Sequence, residues 1–197
     1  MSKQNHGVLN FFFGEHTDYI IRLGPIFAIS AIVFFFSIFI GFNLGDQISP
    51  ESLEGILSNI PDPLESTELE MFIAILFNNV VASFVFMASG LFIGIPPLMF
   101  MAFNGFFVGY VSYNAAQIRN IAFVIATLLP HGIIEIPTII LCSAMGVGLG
   151  YKIVHRILRR DGLQKYAIES IMVFIKRIIP LLVLAAGIET ALIYYFV

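Results

Sequence analysis

Long apolar runs, nearly free of charge, alternate with short polar or charged segments along the chain. Five runs, at about 23–44, 71–93, 98–116, 121–151 and 178–197, approach or exceed the ~20 residues a helix needs to cross a bilayer. The pattern predicts an all-α membrane protein with five transmembrane helices. The fourth run holds ~30 residues, or ~45 Å as a straight helix, against a hydrocarbon core of ~30 Å. It must tilt, kink or break. Pro130 and Pro137 each remove a backbone donor and clash with the preceding turn. A helix kinked or broken near Pro130–Pro137 is therefore expected, with a shallow re-entrant hairpin as the alternative.

The segments between the runs complete the plan. Residues 1–22 mix Lys3, His6, Glu15, His16, Asp18 and Arg22 with a Val8–Phe13 apolar cluster, which fits an interfacial segment lying along the membrane. Residues 23–197 then form one five-span domain. The 46–70 loop carries Asp46, Glu51, Glu54, Asp62, Glu65, Glu68 and Glu70 without a Lys or Arg, and Pro50, Pro61 and Pro63 interrupt it. One short helix near 52–58 is expected there. Gly94-Ile95-Pro96-Pro97 reads as a tight turn, since Pro can start a helix but not continue one. Segment 152–177 is basic and holds room for an amphipathic helix. Positive charge favours the cytoplasmic side. That puts the N-terminus in, the acidic loop out, the basic segment in and the C-terminus out, in the cell membrane, with Arg119 as the one exception.

Composition agrees. The chain is 58% hydrophobic and 12% charged, about half the charge of an ordinary soluble domain, with a mean hydropathy of +0.93. Cys142 is the single cysteine, so neither an intrachain disulfide nor a Cys/His metal cluster can form. The first run is too long and too far from Met1 for a cleavable signal and is expected to be retained.

Chemistry enters with a few polar residues inside the apolar runs. His131 and Glu135 are four residues apart, hence on one helical face. An ionisable side chain in a membrane span is costly and marks a candidate site. At 1.5 Å per residue, Glu135, Glu189, Asn78, Asn79 and Asn104 all fall in the middle layer. A buried carboxylate needs a proton or donors, so a His131–Glu135 or His131–Glu189 pair flanked by the asparagines is expected. The centre can be hydrogen-bonding glue between helices or a proton or ion relay. His-x-x-x-Glu offers two ligands where zinc takes three or four, and no nucleophile pairs with a base, so no metal, cofactor or enzymatic activity is expected. Pro130, Gly132 and Pro137 are the candidate hinge.

Glycines supply a second pattern. Gly41/Gly45, Gly90/Gly94, Gly105/Gly109 and Gly146/Gly150 are small-xxx-small pairs that let backbones approach closely, within one subunit or across a homodimer face. Lys152, Arg156, Arg159 and Arg160 are placed to meet anionic lipid head groups. The basic segment is too small for nucleic acid, so the bilayer and a membrane-protein partner are the expected partners.

These residues resemble the stage II sporulation protein M family. The matching pieces are Phe77-Asn78-Asn79, Gly90-xxx-Gly94, Asn104-Gly105-xxx-Gly109, Pro130-His131-Gly132-xx-Glu135-xx-Thr138-Ile139 and Ala144-xxx-Gly148-xx-Tyr151. The resemblance covers roughly 78–151, and the His-Gly-x-x-Glu piece is its specific part. It implies a multispan protein of the cytoplasmic membrane. In spore formers the family is needed for engulfment, where it is thought to hold cell-wall hydrolases at the membrane. Scaffold and transporter are both compatible with the family.

Overall fold

The computed structural model describes residues 16–48, 66–118, 120–157 and 162–196, with side chains throughout except at 122–123, 125–131 and 196. The described residues are almost wholly helical. A short α1 (Thr17–Arg22) leads into α2 (Gly24–Asn43), which begins with Pro25 in its first turn, where the missing N–H costs nothing. α3 (Glu68–Ala88) opens on a capping box. The Glu70 amide donates to Thr67 Oγ1 at 3.3 Å, and the Thr67 amide donates to Glu70 Oε2 at 2.8 Å, so each residue satisfies an orphan donor of the first turn. The chain then turns through Ile93 (φ 62°) and Gly94 (φ 77°) into α4 (Pro96–Ile118). The paired prolines start that helix, as expected.

Four stretches are long and apolar enough to cross a membrane: Gly24–Asn43, Glu68–Leu91, Gly132–Ile157 and Leu163–Tyr195. α4 has 23 residues, but Asn104, Asn114, Gln117 and two prolines dilute its apolar character. α5 runs unbroken from Ile121 to Ile157, with Pro130 and Pro137 inside it. A re-entrant hairpin and a full break are thereby excluded. The amphipathic helix expected before the last span is α6 (Leu163–Val173), but it is not separate. A π turn at Phe174–Ile178 joins it to α7 (Ile179–Phe196). Pro180 cannot donate to the carbonyl four residues back, and a wider turn placed just before it accommodates the ring.

Pairing is interleaved. α2 packs most extensively on α4, and α3 packs on α5 and α7, whereas the consecutive helices α3 and α4 touch little. α5 contacts α2, α3, α4, α6 and α7 and forms the axis of the bundle. Phe34, Met101, Ile140, Cys142, Met145 and Leu182 are buried around it. Phe35, Phe36, Phe39, Phe77, Phe103 and Leu184 point outward. Helices apolar all round suit lipid contact on one side and packing on the other.

Candidate functional site

The glycines set the geometry first. A Cβ at Gly105 would lie 3.1 Å from the Phe34 carbonyl carbon, and one at Gly109 would lie 2.8 Å from the Phe42 nitrogen. Gly41 abuts the Phe106 carbonyl and Gly45 the Tyr113 ring. On the other side Gly90 meets the Gly146 carbonyl, Gly146 meets the Phe86 carbonyl, and Gly150 meets Gly94. All eight glycines face atoms of their own chain. They form two seams, α2 with α4 and the α3 end with α5, in which only a residue without a side chain fits.

Glu135 and Asn104 line one cavity of about 160 Å³, together with Ser112, Gly132, Phe34 and Ile139. Glu135 is only 8% exposed and Asn79 5%. The Asn79 amide oxygen accepts from Asn78 Nδ2 at 3.4 Å, while its own Nδ2 is buried without a hydrogen-bond partner. Gly132 could take a Cβ at 3.0 Å from the Ile136 methyl end, a flexible neighbour that can give way.

Not every predicted member joins. Asn78 is exposed on the outer face of α3, so it borders the centre without entering it. Glu189 is half-buried and does not line the Asn104–Glu135 cavity among the described residues. It stands beside Gly187 and Thr190, which face Phe72 across a second cavity, about 10 Å along α3 from Asn79. The backbone of His131 is helical. The side chains of His131 and Pro130 lie outside the described residues, as do Arg159, Arg160, Arg119, the 1–15 lead-in and the 49–65 part of the acidic loop. Pro137 is exposed, Lys152 half-buried and Arg156 exposed. Among the described residues no three His, Cys, Asp or Glu side chains converge.

Two polar nodes carried no signal in the sequence. Ser143 Oγ lies 3.4 Å from Ser30 Oγ and 3.3 Å from the Pro97 carbonyl, tying α2, α4 and α5 at one buried point. At the other node, Tyr19 OH and Ser170 Oγ are 2.6 Å apart, Ser170 donates to the Tyr166 carbonyl at 3.0 Å, and Tyr166 OH donates to the Met145 carbonyl at 3.2 Å. The Tyr19 and Tyr166 rings meet edge-on at 5.1 Å. Burial pushes the Tyr19 phenol up to about 12. An exposed Arg22–Glu169 contact at 3.5 Å adds little. Serines and tyrosines spaced this far apart announce themselves only after folding.

Residues 30–192 match the family described as Stage II sporulation protein M. An uncharacterized protein of Methanocaldococcus jannaschii is 30% identical over 156 residues, which is 77% of this chain and 82% of that protein. No solved structure matches.

Proposed function

The chain belongs to the stage II sporulation protein M family, and from that premise we propose that it is a membrane scaffold or assembly protein rather than an enzyme. It crosses the cell membrane five times, N-terminus inside and C-terminus outside. α4 is the third of the five spans, and α5 bends at Pro130–Pro137. The Asn79–Asn104–Glu135 layer holds helices together. What supports this reading is the pair of glycine seams: backbones already in contact leave the helices little room to rock, which suits a platform for a membrane-protein partner.

Reconstitution tests it. Purified chain in vesicles carrying a pH-sensitive dye is expected to collapse an imposed pH gradient no faster than empty vesicles. Glu135→Gln is expected to lower the melting temperature in detergent and the amount of chain in membranes. In gently solubilised native membranes the chain is expected in a complex of fixed mass, larger than the purified protein. Proton flux that Glu135→Gln abolishes while the fold survives would overturn the scaffold reading. It would favour the second one, a proton- or ion-coupled channel, which a buried carboxylate in a small mid-membrane cavity also supports.

A further inference from the structure

An apolar recess beside the bundle is separate from the Asn104–Glu135 cavity. It is a groove of about 580 Å³ between α1, the start of α2, the middle of α5 and the π turn. Ile20 and Phe27 form one wall, Ile133, Pro137 and Leu141 the floor, and Leu181 the far side. Its volume falls within the ~300–1,000 Å³ of ordinary ligand sites. Arg177 is the one charged side chain among its described lining residues, and it is held at the rim by donating to Thr17 Oγ1 at 3.3 Å. Arg177 and Ile178 both belong to the π turn, the wider helical turn often found at functional sites.

Depth gives the groove its meaning. Arg177 bonds Thr17 on α1, the short helix that carries Asp18 and Arg22 just ahead of the apolar α2. The polar end of the groove therefore lies where the first span begins, on the side of the basic 152–177 segment. The groove runs from there towards the bilayer middle, and Ile21, Ile133 and Leu181 around it are exposed. An apolar trough ending in a guanidinium matches a lipid chain ending in a phosphodiester. Arginine suits that contact because its planar fork pairs with two phosphate oxygens.

We propose that this groove is a binding site for one anionic phospholipid, with a chain along Ile133–Leu141 and the phosphate on Arg177. Gly24 supplies a clean probe, because it lines the groove and a Cβ there meets nothing within 4 Å. Gly24→Leu puts an isobutyl group at the trough, and its Cβ presses on nothing. Delipidated chain in detergent is titrated with phosphatidylglycerol or phosphatidylcholine and read by native mass spectrometry, with melting curves as the fold check. The expected result is one retained phosphatidylglycerol per chain, favoured at least tenfold over phosphatidylcholine and not displaced by inorganic phosphate. Arg177→Gln removes the head-group preference, Arg177→Lys restores part of it, and Gly24→Leu removes the retained lipid. Equal retention of the two lipids, displacement by inorganic phosphate, or retention unchanged by either Gly24→Leu or Arg177→Gln in folded protein overturns the proposal.

Discussion

At the scale of single residues, the structure separates side chains that the sequence presents alike. Two adjacent asparagines in an apolar run look equivalent, yet Asn79 is buried and Asn78 faces outward. A step of one residue rotates a side chain by about 100° around a helix, and which face turns inward depends on where the partner helix lies. Tyr19 shows the converse. It lies in the mixed 1–22 segment expected at the interface, but it is 2% exposed and bonded to Ser170. Its phenol, raised from 10.0 to about 12 by burial, loses its proton in the unfolded chain before it does in the folded one. Stability is therefore expected to hold up to pH 10 and to fall between about 10 and about 12. Alkaline melts of purified protein check this. Tyr19→Phe should lose about 1 kcal/mol at neutral pH with its hydrogen bond and then show a shallower alkaline decline than the parent. An equally steep decline in both would remove Tyr19 from that role.

At the scale of elements, helix identity was legible because apolar length in a membrane protein leaves few alternatives to a helix. The boundaries of α2, α3 and α4 follow from Pro25, the Thr67–Glu70 box and Pro96-Pro97. The π turn joins the expected amphipathic helix to the last span through Lys176 and Arg177, a continuity that charged residues at a span's end do not announce. The glycine pairs were visible as motifs but not as partners, since spacing names a face without naming what it meets. Their energetic weight can be measured. Gly109→Ala should destabilise the protein by about 1–3 kcal/mol through overpacking, because the new methyl meets the Phe42 nitrogen at 2.8 Å. Gly187→Ala, with nothing within 4 Å of the added carbon, should be neutral or stabilising by up to ~1 kcal/mol from helix propensity. Thermal melts in one detergent compare the two, and similar losses at both positions would contradict the seam.

At the scale of the molecule, the candidate centre was legible in part. Depth along the chain put Asn104 and Glu135 in one layer, and one cavity joins them. Glu189 does not line that cavity: its neighbours Gly187 and Thr190 face a different one, near the start of α3, because counting residues from a helix end gives neither the true depth nor the angle around the bundle axis. The five-span plan has a direct test. Cys142 is fully buried, so single cysteines at exposed ends can be labelled on intact cells with an impermeant maleimide. Asp46→Cys and Gln117→Cys are expected to react from outside, and Ile95→Cys and Gln164→Cys only after permeabilisation. Matching reactivity at positions 95 and 117 would mean that α4 does not cross.

The interleaved pairing also has a temporal side. Helices enter the membrane in the order of synthesis, yet α2 has its main partner in α4 and α3 has one of its partners in α5. Each must wait in lipid while the intervening segment is made. Because lipid is as apolar as the waiting faces, no hydrophobic force hurries the match. Exposed glycine faces keep such waiting helices able to dock with strangers. A nascent chain of this design is thus most vulnerable to wrong partners before its fourth and fifth helices arrive, and least so once the two seams have closed.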